Sequence, residues 1–306
     1  MLEKSSAAEL LHGQVSAAFG RQFLVELADG SVVPCVTPGK KSGTACGDRV
    51  KIRMTSADQG VIQATEPRQT LLYRSDAFRE KIIAANVTQI IVVLAARPSF
   101  YEELLNRCLV AAEAGGMRVL IVLNKCDLVE ETRAALATLG LYRELGYDLL
   151  LLSAKQDISP LLPYLEGHTS VLVGQSGMGK SSIVNALLPQ AAAATREMSE
   201  ALDSGKHTTT SAQLYHLGQS SHIIDSPGLQ EFGLHHLSAH EIDHAFVEFR
   251  PFLGRCKYNN CRHLSEPGCA VLEAVAAGKV SERRWMAYRS ILGTSRAADG
   301  YNKSRF

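Results

Sequence analysis

The chain has 306 residues, of which 46% are hydrophobic and 21% are charged, so disordered and fibrous proteins are excluded. No apolar run approaches the roughly 20 residues that span a bilayer, and the N-terminus lacks a signal-peptide core, so we expect a cytoplasmic location. The net charge of +1 conceals an asymmetry: residues 1–70 carry +1, residues 71–249 carry −7 and residues 250–306 carry +7. The basic C-terminal region predicts a polyanion partner, although a solvated tail would have the same charge.

The N-terminal region reads as short strands separated by turns, and Asp29-Gly30 is typical of a hairpin turn. The predicted strands are Gln14–Phe19, Gln22–Leu27, Ser31–Val36, Arg49–Met54 and Gly60–Ala64. Five short strands in this length predict a small closed barrel, of which the OB-fold is a common form. We therefore assign residues 1–70 to an OB-like β-barrel.

From residue 80 onwards, apolar strands alternate with helical patterns. The predicted strands are Gln89–Leu94, Arg118–Leu123, Asp148–Leu152, Ser170–Val173, Leu214–Leu217 and His222–Ile224. The predicted helices are Glu102–Ala114, Glu131–Leu145, Lys180–Leu188 and His240–Phe249, and the loop 190–207 shows no convincing element. This alternation predicts an α/β domain with a parallel sheet covered on both faces, which we assign to residues 71–235.

A phosphate-binding loop follows the strand Ser170–Val173. Its residues are Gly174, Gln175, Ser176, Gly177, Met178, Gly179, Lys180 and Ser181, and Ser182 continues into the helix. The pattern G-x-x-x-x-G-K-S between a strand and a helix lets backbone N–H groups and the helix dipole surround phosphate. Lys180 is the predicted catalytic contact to the β- and γ-phosphates, and the Ser181 hydroxyl is the predicted Mg²⁺ ligand.

Two further motifs predict that the base is guanine. Asn124-Lys125-Cys126-Asp127 resembles the N-K-x-D element of GTPases, and Ser153-Ala154-Lys155 resembles the S-A-K element. The Asp127 carboxylate can accept hydrogen bonds from N1–H and N2–H₂ of guanine, whereas adenine has no such donor pair. Asn124 is expected to tie this loop to the phosphate loop, and a backbone N–H of the S-A-K element is expected to meet guanine O6. Either motif alone also fits a surface turn, and a P-loop kinase or ATPase remains an alternative that Asp127 disfavours.

Two segments resemble the switches of GTPases. Asp225-Ser226-Pro227-Gly228 has the D-x-x-G pattern, in which Asp225 would hold Mg²⁺ directly or through water and the Gly228 N–H would sense the γ-phosphate. Thr209 or Thr210 would complete the Mg²⁺ shell. Leu229 stands where many GTPases have a water-orienting glutamine, so His207 is the candidate to orient water, although it could equally stabilise its loop.

A second cluster predicts a metal centre. Cys256, Cys261, His263 and Cys269 supply three thiolates and an imidazole, which is the ligand set of a closed structural zinc site. We expect zinc to supply most of the folding energy of this small knuckle, and the arginines that follow it, including Arg283, Arg284 and Arg289, to meet RNA phosphates. His236, His240 and His244 share a helical face, which we interpret as a solvated or packed face and not as a metal site.

The GTPase motifs occur in permuted order, because N-K-x-D and S-A-K precede the phosphate loop. This order, the N-terminal barrel, the C-terminal Cys/His cluster and the stretch from Tyr73 to Asn86 resemble the ribosome small-subunit-dependent GTPases of the bacterial YjeQ/YloQ type. The resemblance implies a circularly permuted P-loop GTPase domain between an OB-like barrel and a zinc-binding α-helical domain at 236–306. Since D-x-x-G ends the GTPase core, nucleotide state can bias the domain that follows.

The resemblance also implies a function: late maturation of the 30S subunit, with GTP hydrolysis stimulated by that subunit. The expected ligands are GTP and GDP with Mg²⁺ and one structural zinc ion per chain. The expected partners are the small subunit and its rRNA, with no membrane partner and with the chain acting as a monomer. The alternative is a nucleotide-gated rRNA-binding module with negligible turnover of its own.

Overall fold

The computed structural model describes residues 10–39, 43–75, 80–188, 212–225 and 234–303. Their strands form an eleven-stranded sheet and a separate two-stranded hairpin. Within these ranges, no helix combines the length and the apolar character that crossing a membrane requires. The predicted fold class, a permuted α/β GTPase between a barrel and a helical cysteine-containing domain, is confirmed.

The N-terminal strands close into a barrel. They are β1 (Leu11–Phe19), β2 (Gln22–Leu27), β3 (Val32–Val36), β4 (Arg49–Met54) and β5 (Gly60–Thr65). Strand β1 pairs with both β2 and β4, while β5 pairs with both β3 and β4, so every strand has two neighbours. Alternating residues such as Val15, Phe23 and Ile52 fill the interior, as the period of a strand requires.

The central domain begins with a hairpin that the sequence did not predict, β6 (Leu71–Ser75) with β7 (Glu80–Ala85). The remaining elements are β8 (Gln89–Ala95), α1 (Glu102–Ala114), β9 (Arg118–Asn124), α2 (Val129–Glu144), β10 (Asp148–Leu152), a 3₁₀ turn (Ser159–Leu161), α3 (Leu162–Leu165), β11 (Thr169–Val173), α4 (Lys180–Leu187), β12 (Ala212–His216) and β13 (His222–Asp225). The sheet order is β10-β9-β8-β11-β13-β12. The first five strands are parallel and β12 is antiparallel to β13, so the sheet is mixed and not purely parallel.

The barrel and the central domain share one sheet. Strand β1 pairs with the edge strand β12 through Ala17 opposite Gln213 and Ala18 opposite Ala212. Pairing of this kind covers the exposed edge of the GTPase sheet, which would otherwise present unpaired backbone groups. Strand pairing between β1 and β12 therefore connects the two sides of the domain boundary that the sequence predicts near residue 70.

The C-terminal domain is helical. It contains α5 (Ala239–Ala245), a 3₁₀ helix (Val247–Phe252), α6 (Ala270–Ala276) and α7 (Glu282–Lys303). Helix α5 begins with a capping box in which Ser238 and Glu241 satisfy each other's backbone N–H groups. The predicted helix His240–Phe249 is divided because the backbone of Phe246 is extended, with φ −83° and ψ 94°.

The last helix carries part of the basic C-terminal region, and its contacts correct the expectation that Arg284 meets RNA phosphates. Arg284 is buried, donating to Glu248 Oε1 at 2.6 Å and to Asn106 Oδ1 of α1. Arg283 donates to Glu102 Oε2 of α1 at 2.6 Å. The buried Arg284 is not free to meet phosphate, whereas the Arg283 side chain is 48% exposed. Both arginines join the helical domain to the GTPase domain. Arg289, which is exposed and lies over the Trp285 ring, remains available.

Candidate functional site

The phosphate loop connects β11 to α4 and lies at the carboxyl end of the sheet. Gly174 packs against the carbonyl of Val93 so closely that an added Cβ would collide with it. Gly177 and Gly179 have φ of +79° and +95°, which glycine adopts without strain. These glycines give the loop its curvature and let backbone N–H groups approach an anion.

Lys180 spans the inside of this loop. Its Nζ donates to the carbonyl oxygens of Gly174 at 2.5 Å and Gln175 at 2.8 Å. Burial lowers the pKa of Lys180, while nearby Asp225 acts to raise it. Burial likewise raises the pKa of Asp225, opposed by Lys180. The Asp225 carboxylate and the Ser181 hydroxyl supply oxygen ligands, which Mg²⁺ prefers, so these two residues fit that ion.

Asn124 joins three loops at the end of β9. Its Nδ2 donates to the Met178 carbonyl at 2.9 Å, and its Oδ1 accepts the N–H of Ala154 at 3.1 Å. The residue is buried, so both bonds are shielded from water. One side chain therefore fixes the phosphate loop relative to the N-K-x-D and S-A-K loops. The Ala154 N–H that could have served guanine O6 is already donated to Asn124.

Lys125 and Asp127 flank the place expected for the base. Lys125 adopts φ +61°, and its Nζ donates to Gly177 O at 2.7 Å and Arg97 O at 2.8 Å. Asp127 is exposed and accepts the Ser153 hydroxyl at 2.6 Å. The Ser153 hydrogen bond lowers the pKa of Asp127, so the group is a carboxylate and an acceptor at neutral pH. Cys126 is half-buried and contributes its backbone N–H to Leu152 O.

The second candidate site is a cluster of three thiols and an imidazole. The ligand atoms of Cys256, Cys261, His263 and Cys269 all lie within 4.8 Å of one another. Zinc bonds of about 2.3 Å in a tetrahedron place ligands about 3.8 Å apart, so the cluster fits such an ion. Burial raises the pKa of the Cys261 thiol to about 12, and a bound divalent cation would offset that by stabilising the thiolate.

The surroundings of the cluster orient its imidazole. His263 Nδ1 lies 3.3 Å from Cys269 Sγ, and its Nε2 faces Asp243 Oδ2 at 3.8 Å. A carboxylate behind a ligating histidine is the usual partner that sets the ring's orientation. Glu266 accepts backbone N–H groups of Arg262, Leu264 and Ser265; burial acts to raise its pKa, but these donors lower it to about 2. The ligand loop is thus held in shape by a second carboxylate.

The three histidines predicted to share a helical face do not form a metal site. The rings of His240 and His244 contact each other at 4.4 Å, and His236 lies 5.0 Å from the Tyr73 ring. Across the part of the chain that the structure describes, the Cys256 cluster is the group of metal-ligating side chains that comes together. His236 precedes α5, which begins at Ala239, so the expectation that all three histidines share one helical face is wrong for His236. The interpretation of a packed or solvated face holds for His240 and His244.

Comparison with known proteins identifies the family of the central domain. The sequence profile of the RsgA GTPase family matches residues 65–235. The chain belongs to the RsgA GTPase family. A relative from Nitrosospira multiformis, named small ribosomal subunit biogenesis GTPase RsgA, is 58% identical over 93% of this chain and 91% of its own length. One of the same name from Nitrosomonas europaea is 54% identical over 92% and 91%.

Solved structures of RsgA-type proteins show the same fold. YjeQ from Thermotoga maritima superposes with a TM-score of 0.73 and 29% identity, covering 94% of this chain and 99% of its own. YloQ, described as a circularly permuted GTPase, superposes with a TM-score of 0.70 and 26% identity, covering 97% and 98%. The predicted family is therefore confirmed.

Some predicted residues of this RsgA GTPase lie outside the described ranges. These are His207, Thr209, Thr210 and Gly228, together with Leu229. Of the others, Ser181 is exposed on the first turn of α4, Ser182 is half-buried beside it, and Asp225 ends β13.

Sequence reasoning also missed a wall of the site, the segment from Arg97 to Tyr101 after β8. This segment receives Lys125 through Arg97 O, and the Tyr101 N–H donates to Gln175 Oε1 at 3.0 Å. No motif in the sequence marks it.

Proposed function

We propose that this RsgA-family chain hydrolyses GTP to GDP and phosphate on the small ribosomal subunit, during late 30S maturation. The observation that carries the proposal is Asn124, which joins a guanine-reading loop to a phosphate-binding loop. The names of the RsgA relatives support the choice of partner. A protein with that partner would work in the cytoplasm, and we propose that it acts as a monomer.

In this mechanism, most of the catalytic effect comes from positioning and charge. On GTP binding, Lys180 exchanges its bonds to the Gly174 and Gln175 carbonyls for the β- and γ-phosphate oxygens. The N–H groups of the phosphate loop and of α4 surround the same oxygens. Ser181 and Asp225 would hold Mg²⁺, which would supply positive charge to stabilise the charge that develops on the phosphates.

The switch residues complete the proposal. Thr209 or Thr210 would add a Mg²⁺ ligand, and the Gly228 N–H would sense the γ-phosphate. His207 would orient the attacking water, because Leu229 has no hydrogen-bonding group to do so. We infer slow intrinsic hydrolysis, which the subunit accelerates by positioning these residues.

The metal of the cysteine cluster is proposed to be zinc. Three thiolates and one imidazole at tetrahedral spacing match a structural site with no open position, so the metal would stabilise the fold and take no part in hydrolysis. We propose that the exposed Arg255 and Lys257, beside the ligand Cys256, contact rRNA phosphates. The proposed domains are 1–70, 71–235 and 236–306.

Single-turnover GTP hydrolysis, with and without purified small subunits, tests the proposal. Stimulation by subunits is the expected result. Slow hydrolysis that subunits leave unchanged would favour the alternative, an rRNA-binding module gated by nucleotide. Competition by excess ATP would exclude a guanine-specific site.

The guanine-reading role of Asp127 predicts a change of specificity. In Asp127→Asn, the amide can donate to the oxygen by which xanthine replaces the guanine amine, so preference should shift from GTP to XTP by about 100-fold or more. Equilibrium binding of both nucleotides measures the shift. Glu130→Gln, a similar change at an exposed carboxylate on α2, should bind as wild type does. Unchanged GTP affinity with no gain for XTP would contradict the assignment.

The Mg²⁺-binding role of Ser181 predicts a loss of metal-dependent activity. Ser181→Ala removes a direct ligand, so hydrolysis should fall by about 100-fold or more and require more Mg²⁺. The variant Ser159→Ala, at an exposed serine of the 3₁₀ turn, serves as the control. A Mg²⁺ titration identical to that of wild type would show that Ser181 has another role.

A further inference from the structure

Strand β12 is hydrogen-bonded on both edges, to β13 of the GTPase sheet and to β1 of the barrel. Gln213 is the cross-strand partner of Asp225 on one side and of Ala17 on the other. Because neighbouring strands lie about 4.8 Å apart, the barrel backbone is about 10 Å from the backbone of Asp225. The carboxylate assigned to Mg²⁺ is thus two strands away from the barrel.

A chain of side-chain hydrogen bonds joins the same strands at the other end of the hairpin, three residues along β12 from Gln213. His216 of β12 donates through Nε2 to Glu26 Oε2 of β2, at 2.7 Å. His216 Nδ1 lies 2.9 Å from His222 Nδ1, and these two histidines are themselves cross-strand partners in β12 and β13. Glu26 of the barrel therefore holds both strands of the β12–β13 hairpin.

The hairpin lies between the two switches of the GTPase. In the sequence, Thr209 and Thr210 are separated from β12 by one residue, and β13 ends at Asp225, the first residue of the D-x-x-G segment. Strand β13 lies between β12 and β11, the strand that leads into the phosphate loop. A shift of the β12–β13 hairpin relative to β11 would therefore change the position of Asp225 relative to Lys180. Strand β12 could transmit such a shift, because it is hydrogen-bonded to strand β1 of the barrel.

We propose that the barrel positions Asp225 through β12, and that Glu26 is a positioning residue for the Mg²⁺ site. Glu26 touches neither substrate nor metal and acts through His216 and the hairpin. RNA bound to the barrel would act on hydrolysis along this route. The effect of RNA on hydrolysis rests on the proposed function, whereas the effect of Glu26 on the position of Asp225 does not.

The test compares two matched carboxylates. Glu26 pairs with His216 across the junction, whereas Glu66 pairs with His12 at 2.8 Å within the barrel; both glutamate side chains are 28% exposed. The variants are Glu26→Gln and Glu26→Ala, with Glu66→Gln and Glu66→Ala as controls. The full-length chain is titrated with a fluorescent non-hydrolysable GTP analogue, once with Mg²⁺ and once with EDTA.

We expect the Glu26 variants to lose about threefold of affinity with Mg²⁺ and none with EDTA, an effect in the range of a partly exposed pair. The guanine contacts are on β9 and β10, so the affinity without metal should not change. Intrinsic hydrolysis with Mg²⁺ should show a lower kcat and a KM raised by about threefold, because KM follows Kd when the chemical step is slow. The Glu66 variants should match wild type in both titrations, and all variants should have similar Tm values.

His216→Gln and the double variant with Glu26→Gln provide the second measurement. If the two residues act along one route, the double variant is no worse than either single variant. The proposal would be overturned if the losses of affinity in the double variant were additive. It would also be overturned if the Glu26 variants lost as much affinity with EDTA as with Mg²⁺, or if they behaved as the Glu66 variants do.

Small subunits then separate this proposal from the proposed function. If subunits do not stimulate the wild type, the proposed function fails, while the Mg²⁺ titrations still decide the role of Glu26. If subunits stimulate the wild type, the Glu26 variants should remain about threefold slower even at saturating subunit concentration. If the Glu26 variants recovered the full rate at saturating subunit concentration, Glu26 would contribute only to subunit binding. That result would overturn transmission through β12.

Discussion

Gly179→Ala should lose guanine nucleotide affinity by about 100-fold. Gly179 has φ +95°, where a side chain is strained, and an added Cβ would collide with Nδ2 of Asn124. Asn124 cannot move aside without breaking its bonds to Met178 and Ala154. Strain of about 1–2 kcal/mol and two lost hydrogen bonds of about 1 kcal/mol each account for the expected factor.

Equilibrium binding of fluorescent GDP measures this effect, and Gly140→Ala is the matched control. Gly140 lies within α2, with open space where its Cβ would be, so alanine there should leave affinity unchanged and slightly stabilise the helix. If Gly179→Ala binds GDP within about threefold of wild type, a difference of well under 1 kcal/mol, the junction centred on Asn124 is not what holds the phosphate loop.

Cys261→Ala should abolish stoichiometric zinc binding and most of the affinity for small subunits, while GDP affinity stays within about twofold of wild type. Three remaining ligands leave an open, weaker site, and the loop that carries Arg255 and Lys257 would lose its geometry. The nucleotide loops are on other elements, at the carboxyl end of the central sheet. Zinc content of the purified protein and sedimentation with subunits are the measurements.

The structure indicates which part of the helical domain should lose its fold when zinc is absent. The helical domain has an apolar core in which Phe246, Phe249 and Tyr288 are buried together with the ligand Cys269. We expect these aromatic residues to keep the helices folded on metal loss, while the ligand loop becomes disordered. The expectation that zinc supplies most of the folding energy therefore applies to the loop alone. Cys35→Ala, which removes a barrel thiol outside the cluster, should keep one zinc per chain. Full zinc occupancy in Cys261→Ala would contradict the assigned ligand set.

Local chemistry explains why several features could be predicted from sequence. The five barrel strands and the phosphate loop depend on residue periodicity, glycine placement and turn residues, all of which are encoded within a few positions. The N-K-x-D element and the cysteine spacing are recognisable for the same reason. The hairpin β6–β7 was not predicted because the sequence of residues 71–85 has no pattern that distinguishes a strand pair from a connector. The pairing of the two strands is visible only in the structure.

The sequence by itself determined the permuted order of the GTPase motifs, the type of nucleotide they suit and the four candidate metal ligands. Only the tertiary structure decided that Arg284 is buried against Glu248 and Asn106, and that β12 joins the barrel to the strand ending at Asp225. Charge and strand propensity are properties of single segments, whereas an ion pair or a strand pairing requires two segments distant in sequence. Whether two distant segments come into contact depends on how the helices and sheets pack, and this cannot be read from the sequence of one segment.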